Sequence, residues 1–182
     1  HLGPLLLARS HLGSLRLSRR APLIRRDQID HIAIAVGRSG RWRAGGNDVG
    51  FDMTRDQVSV VDLAQPIDTE LVGASALQLV LPRDSLGGLD PAVAHGAVLH
   101  SGTAALFVDY LQALERHLPQ LGAEDLPDIA RITVDLFAAS LRPAAAAVRR
   151  ARPAISLSLL QRIRRHIEQH LGEPQLTPES IA

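Results

Sequence analysis

The histidines come first, because imidazole is the commonest metal ligand and a general acid–base group near neutral pH. A metal site on neighbouring strands needs a His-x-His pair, a carboxylate shortly after it and another histidine on a later strand. Between residues 30 and 82, however, the chain contains only His31. His166 and His170 are four residues apart and share a helix face, but no third ligand accompanies them. We predict no metal and no cofactor.

The sequence also lacks the patterns of covalent catalysis. It has no cysteine and no Gly-x-Ser-x-Gly motif, so neither a thiolate nor a serine nucleophile is indicated. Asp52, Asp56 and Asp62 lie around predicted strands, where turn formation and solvent-facing positions are the usual roles. We therefore predict that the protein is not an enzyme. The absence of cysteine also fits a reducing cytoplasm.

Charge is unevenly distributed, although the formal net charge is only +1. Residues 1–26 contain six arginines and no acidic residue, whereas residues 44–135 contain fourteen acidic residues and four arginines. Residues 149–170 again contain six arginines, with one glutamate. A basic end beside an acidic body is typical of a protein that contacts nucleic acid at that end, and a solvated charged surface is the alternative. The early apolar run, residues 5–8, is too short to span a membrane.

An alternating pattern predicts β-strands in the first half of the chain. Ile32, Ile34 and Val36 alternate with smaller residues, as in a strand with one buried face. The segment RWRAGGNDVGFDM (41–53) predicts a hairpin with its turn at residues 45–47. Further strands are predicted at QVSVVDL (57–63) and ALQLVLP (76–82). Several short strands with Gly or Pro turns indicate a small antiparallel barrel or sandwich.

After Pro91 the apolar spacing becomes helical. Residues 101–118 predict a helix with an apolar face of Leu106, Tyr110 or Phe107, Leu111, Leu114 and Leu118. Residues 123–141 predict a second helix, with an acidic first turn and a face of Ile129, Ile132, Leu136 and Leu141 or nearby positions. The segment RPAAAAVRRARP (142–153) indicates a linker that is helical in part.

The end of the chain predicts a helix, a tight turn and the start of another helix. Leu160, Ile163, Ile167 and Leu171 form one apolar stripe. Gly172 suits the left-handed position after a helix, and Pro174 prevents continuation. Thr177 is a good N-cap for a helix that begins at Pro178.

These last residues, LLQRIRRHIEQHLGEPQLTPESIA (159–182), resemble the entry to the DNA-binding domain of AraC-type transcriptional regulators. The upstream segments LQLVLPRDSLG (77–87) and HGAVLHSGTAALFVDYLQAL (95–114) resemble the ligand-binding domain of one branch of that family, as does the hairpin region 41–66. In that region this chain has Thr54-Arg55-Asp56 where relatives often carry Pro-Gly-Asp, so the turn differs. The resemblance begins near Leu12.

The resemblance implies an α+β protein with a cupin-like antiparallel β-barrel, helices that mediate homodimerisation, and a DNA-binding domain with two helix-turn-helix units. The helix starting at Pro178 corresponds to the first helix of the first unit, so the recognition helices lie beyond this sequence. We expect residues 1–148 to bind a small-molecule effector and dimerise, residues 149–157 to be a linker, and residues 158–182 to be a truncated DNA-binding domain. Such a fragment would not read DNA sequence by itself.

Candidate site residues follow from this assignment. Trp42, Phe51 and Met53 are the large side chains of the hairpin and are candidates for the effector pocket, with a plain core role as the alternative. The helix residues Leu106, Leu111 and Leu114 are candidates for a dimer contact or for packing on the barrel. Arg162, Arg165 and Thr177 are candidates for the DNA backbone, with a solvated surface and helix capping as the simpler roles. A cupin-like enzyme or a free-standing ligand-binding module remains an alternative to the regulator.

Overall fold

A computed structural model of the chain describes residues 2–46 and 49–147. For the strand residues 46 and 49–51 it describes the backbone only. Within this part, the strands are β1 Leu6–His11, β2 Leu15–Arg19, β3 Ile32–Gly46, β4 Val49–Met53, β5 Val58–Asp62, β6 Ile67–Leu81 and β7 Ala97–Leu99. The helices are α1 Ala21–Asp27, α2 Gly102–His117 and α3, residues 126–147. Short 3-10 helices occupy Arg83–Leu86, Pro91–Ala94 and Leu118–Gln120. The chain divides into compact units His1–Ala145 and Ala146–Ala182.

The strands form one antiparallel sheet built around β3 and β6, which are 15 residues long each. β5 and β4 pair with successive parts of β3, and β2 and β1 pair with successive parts of β6. β7 pairs with β5, so the hydrogen-bonded path runs β1-β6-β3-β5-β7. This confirms the α+β class and the antiparallel sheet that the sequence predicts.

The β3–β6 pair is irregular between Gly37 and Arg41, where its register shifts. Gly40 has a φ of +74°, and a Cβ at that position would lie 2.2 Å from the carbonyl oxygen of Gly73 on β6. Only glycine allows both the positive φ and this close approach of two backbones. Gly40 therefore allows the register shift, and β3 and β6 remain paired on both sides of it.

One face of the sheet packs against the helices. Ile32, Ile34 and Val36 are fully buried, as their alternation predicts. They share a hydrophobic core with strand residues and with the helix side chains Phe107, Leu111, Phe137 and Leu141. The rings of Phe107 and Phe137 have their centroids 5.5 Å apart, which joins α2 to α3.

Helix α2 begins as predicted and buries most of the predicted face, including Leu111 and Leu114, but Leu106 lies outside that face. The Ser101 hydroxyl caps it by accepting a hydrogen bond from the backbone N–H of Ala104 at 3.1 Å. Phe107, rather than Leu106, points into the core, and Leu106 is 57% exposed. The sequence has apolar residues on more than one side of this helix, and burying the larger aromatic ring removes more apolar surface from water.

Helix α3 is longer than the sequence predicts. It continues through Pro143 to residue 147, where a partly helical linker was expected. Its buried face includes Phe137 and Leu141, whereas Ile132 is 41% exposed. The Ser140 hydroxyl donates to the carbonyl of Thr103 on α2 at 3.0 Å, so a polar contact also joins the two helices.

Other sequence predictions are corrected by the strand pairing. Gly46 pairs with Val49, so Gly45 and Gly46 belong to β3, and the connection consists of residues 47 and 48, which lie outside the described residues. Strand β6 begins directly after Pro66, nine residues earlier than the alternation at 76–82 indicates. The sequence analysis also missed β1, β2 and α1, which precede residue 30.

Candidate ligand-binding cavity

A cavity of ≈ 360 Å³ lies beside the strand residues that alternate with the core residues. Ala33 and Ala35 of β3 line it, and they flank the buried Ile34 in sequence. Because successive strand residues point to opposite faces, Ala33 and Ala35 face away from the helix-packed core. Further walls come from β5, from β6 and from a later part of β3, through Ser59, Val61, Ile67, Thr69, Gln78 and Trp42.

Small side chains in register leave this space open. Ala35 is paired with Ser59 of β5 on one side and with Gln78 of β6 on the other. Ser59, Ala35 and Gln78 thus form a row across β5, β3 and β6, and the middle residue, Ala35, has only a methyl group as its side chain. Ala33, two residues before, continues the low floor, so the cavity follows from residue size and strand register together.

The cavity is covered by residues 15–29, which we call the covering segment and which contain β2 and α1. Leu17, Arg19 and Leu23 of this segment line the cavity. Helix α1 begins with Pro22 in its first turn, which suits a helix start, and it contains no fully buried residue. Apolar burial therefore contributes little to holding this helix in place.

Arg19 holds the covering segment through four polar contacts. Its Nη1 and Nη2 donate to the two carboxylate oxygens of Asp27 at 2.8 and 2.9 Å. Its Nε donates to the carbonyl of Leu63 at 2.6 Å, and Nη2 also reaches the carbonyl of Ile29 at 3.2 Å. The hydrogen bonds from Arg19 and from the backbone N–H of Ile29 lower the pKa of Asp27 to about 2, and the same pairing raises the pKa of Arg19.

Of the three residues that the sequence analysis proposed for the effector pocket, one lines the cavity, one is packed beside it and one has an undescribed side chain. Trp42 lines the cavity, and its indole Nε1 is buried without a hydrogen-bond partner. Met53 is buried in a small cluster with Ala35 and Ala76, against which Trp42 packs, and does not line the cavity. The backbone of Phe51 pairs with Ala44, and its side chain lies outside the described part of the structure.

Residues that sequence analysis did not select form most of the cavity. Arg19, Ser59 and Gln78 come from three strands and are separated by 19 residues or more. No local motif joins them, and only the strand register brings Ser59 and Gln78 to the two sides of Ala35. The small residues at alternate positions of β3 are visible in the sequence, but they do not by themselves distinguish a cavity wall from a packed core.

Asp62 forms a separate buried polar cluster at the end of β5. It is 1% exposed, so the predicted solvent-facing position is wrong. Its carboxylate accepts hydrogen bonds from Arg83, from Gln65 at 3.0 Å and from the backbone of Ala64 at 2.9 Å. Burial alone would raise the pKa of Asp62, but these hydrogen bonds together outweigh burial and lower it.

His95 completes this cluster from the second 3-10 helix. Its Nδ1 accepts the backbone N–H of Asp62 at 3.2 Å, and its Nε2 lies 3.2 Å from the carbonyl of Pro66. The tautomer that satisfies both contacts carries its proton on Nε2. The histidine therefore has a structural role in the turn between β5 and β6, which also contains the cavity residue Leu63.

The remaining candidate residues divide between the core, the surface and the undescribed part of the chain. Leu111 and Leu114 are buried in the chain's own core, which is the packing alternative of the sequence analysis, while Leu106 is exposed. Arg162, Arg165, Thr177, His166 and His170 lie outside the described residues. Within residues 2–46 and 49–147, no group of three metal-ligating side chains occurs, and no helix is long and apolar enough to cross a membrane.

The fold matches that of an AraC-like transcriptional activator of known structure, in agreement with the resemblance in sequence. The solved structure of the AraC-like transcriptional activator CuxR aligns with a TM-score of 0.73 and 22% sequence identity. The alignment covers 100% of this chain and 66% of that chain. No family model matches the sequence, and no curated protein matches it. At this level of identity the likeness establishes the fold.

Proposed function

We propose that this chain is the effector-sensing and dimerising part of an AraC-type transcriptional regulator that acts in the cytoplasm. The observation that carries the proposal is the covered cavity beside Ala33 and Ala35, in a fold shared with an AraC-like activator. A concave, mostly apolar space with a few polar groups is the usual form of a small-molecule site. In the whole protein, the region from residue 158 would bind DNA, with Arg162, Arg165 and Thr177 at its backbone.

The effector acts through the strand that it touches. Ala35 borders the cavity, while its neighbours Ile34 and Val36 are packed in the core with α2 and α3. A ligand that binds better to one arrangement of strand and helices shifts the population toward it. Coupling of this kind would change how two DNA-binding domains are presented to an operator.

A second copy of the chain would bind at the outer surface of α2 and α3. Leu106 of α2 and Ile132 of α3 are large apolar side chains that remain exposed. The hydrogen bond between the Tyr110 hydroxyl and the hydroxyl of the buried Thr133, 2.8 Å apart, joins the two helices beneath their exposed side chains. Burying exposed leucine and isoleucine side chains against a partner would favour association.

Fluorescence of Trp42 tests the effector site directly, because it is the only tryptophan in the chain and it lines the cavity. We expect saturable fluorescence changes with members of a panel of small cyclic compounds, including benzyl alcohol, benzamide and benzoate. The variant Ala35→Leu fills the cavity and should abolish these changes. The control Ala123→Leu makes the same substitution at an exposed turn residue and should leave them intact. Binding that survives Ala35→Leu would show that the site lies elsewhere.

A further inference from the structure

We infer that the cavity takes an uncharged, mainly apolar ring compound whose polar substituents reach Ser59 and Gln78. The inference rests on the proposed function, because it treats the cavity as the effector site. It goes further by assigning the chemical class of the ligand. Three features of the lining carry it, namely the absence of an available charge, the positions of two polar side chains and the flat floor between them.

Among the described residues that line the cavity, Arg19 is the one ionised side chain. Its Nη1 and Nη2 are paired with Asp27, and its Nε is bound to the Leu63 carbonyl. A carboxylate in the cavity would therefore meet an arginine whose charge is already neutralised, and an ammonium group would meet no anion. Burying an ion without a counter-ion is far more costly than burying a neutral polar group, so the lining selects against charged ligands.

Ser59 and Gln78 place hydrogen-bonding groups on opposite sides of Ala35. Neighbouring strands are about 4.8 Å apart, so the backbones of these two residues are separated by roughly 10 Å. A hydroxyl and a carboxamide can each donate and accept, so they match alcohol, phenol, ketone or amide groups. They do not require a ligand with a charge.

The floor beside the two polar residues consists of the methyl group of Ala35, which lies between them, and that of Ala33, two residues away on the same face. Apolar wall residues such as Leu17, Leu23 and Val61 surround it. A flat hydrocarbon ring can lie on two methyl groups without displacing either strand. The ligand class is therefore a neutral cyclic or aromatic compound with one or two hydrogen-bonding substituents.

Four compounds of similar size separate charge from shape. Benzyl alcohol and benzamide are neutral, whereas benzoate and benzylammonium carry opposite charges. We expect the neutral pair to bind the wild-type protein, and each ion to bind about 10-fold more weakly or worse, in titrations of Trp42 fluorescence confirmed by calorimetry. Ser59→Ala and Gln78→Leu should weaken benzamide binding several-fold and leave toluene binding unchanged.

Removing the carboxylate that pairs with Arg19 gives a second test, in which the protein should gain affinity for an anion. Asp27→Asn removes the carboxylate that neutralises Arg19, so benzoate affinity should increase about 10-fold while benzylammonium affinity should not increase. Asp128→Asn is the matched control, because Asp128 is exposed on α3 and pairs with Arg131. Circular dichroism and thermal unfolding establish that each variant is folded. The comparison of the four compounds on the wild-type protein tests the ligand class even if a variant fails to fold.

The outcomes distinguish the inference from the proposed function. If benzoate or benzylammonium binds the wild-type protein as tightly as benzamide, and Ala35→Leu abolishes that binding, the ligand class is wrong and the effector site stands. If no compound of either kind binds, or if binding is insensitive to Ala35→Leu, the proposed function fails and takes the inference with it. Neutral-selective binding with a gain of benzoate affinity in Asp27→Asn supports both.

Discussion

Arg19 and Asp27 bind each other at two points, with Nη1–Oδ2 and Nη2–Oδ1 distances of 2.8 and 2.9 Å, across the segment that covers the cavity. Arg19 lies at the end of β2 and Asp27 at the end of α1. Since α1 has no fully buried residue and Arg19 also binds the Leu63 carbonyl, this ion pair joins the covering segment to the turn between β5 and β6.

The ion pair predicts a pH dependence for Asp27→Asn. The pKa of Asp27 is lowered from 3.8 to about 2 in the folded protein, so its contribution to stability is complete above pH 3.8 and is lost as the pH falls toward 2. We therefore expect the Tm difference between wild type and Asp27→Asn to be constant near neutral pH and to shrink below about pH 4. Thermal unfolding followed by circular dichroism measures this, with Asp128→Asn as the control. A difference that persists unchanged at pH 2 contradicts the assignment.

Filling the cavity should be tolerated better than overfilling the core. Ala35→Leu adds its extra atoms to an open space, so we expect the free energy of unfolding to change by less than about 1.5 kcal/mol. Ala104→Leu makes the same change in the packed core beneath α2, where it should cost roughly 1–3 kcal/mol. Urea denaturation compares the two variants. Equal costs would argue that no usable space exists beside Ala35.

The close approach at Gly40 predicts a large cost for an added methyl group. Gly40→Ala combines a φ of +74° with a contact of 2.2 Å to the Gly73 carbonyl oxygen. Gly87→Ala is the matched control, because Gly87 has a φ of +57° and its Cβ would meet nothing within 4 Å. The control should lose about 1–2 kcal/mol from the backbone conformation alone, and Gly40→Ala roughly 2 kcal/mol more. Similar losses in both variants would mean that the β3–β6 contact is looser than described.

The proposed dimer surface predicts a change in assembly without a change in folding. Leu106→Asp and Ile132→Asp alter side chains that are 57% and 41% exposed, so the monomer should stay folded while its dimerisation constant weakens about 10-fold or more. Val72→Asp, at a 51% exposed position on β6 outside the cavity, is the control and should leave dimerisation intact. Analytical ultracentrifugation measures the constants. If all three variants dimerise like the wild type, the interface lies on another surface.

In the buried cluster at Asp62, substituting Arg83 and substituting Asp62 should lower the free energy of unfolding by unequal amounts. Arg83→Met leaves a buried carboxylate without its cation and should cost about 3 kcal/mol near neutral pH. Asp62→Asn leaves Arg83, which reaches solvent, and should cost roughly 1–2 kcal/mol. Since Arg83 contributes to lowering the pKa of Asp62, the deficit of Arg83→Met should diminish in acid, where Asp62 is protonated. Denaturant titrations at several pH values measure both costs. A larger cost for Asp62→Asn than for Arg83→Met would contradict the burial of Asp62.

The sequence determined the elements more clearly than the site. The alternation of Ile32, Ile34 and Val36 predicted a buried strand face correctly, because bulky apolar residues have few other places in a fold. For α2, the sequence did not decide between Leu106 and Phe107 for the buried face, because both side chains are large and apolar and lie on adjacent faces. The preceding strands were missed because they are short and contain no fully buried residue, so their apolar pattern is weak.

The cavity was beyond single-sequence reasoning for a different reason. It consists of what Ala33 and Ala35 leave empty, and an alanine carries no local signal that distinguishes a cavity wall from a packed core. Its polar groups, Ser59 and Gln78, become neighbours of Ala35 only through strand register, which depends on pairing across more than twenty residues. Large hairpin residues were therefore selected in their place, and of these Met53 proved to be part of a packed cluster.

The arrangement of Ile34 and Ala35 on β3 has a mechanical consequence. The partition between the cavity and the hydrophobic core is a single polypeptide strand. A molecule that pushes on the methyl group of Ala35 pushes on the same backbone that carries Ile34 into the core shared with α2 and α3. Whatever occupies the cavity is thus one strand away from the core against which the helices pack.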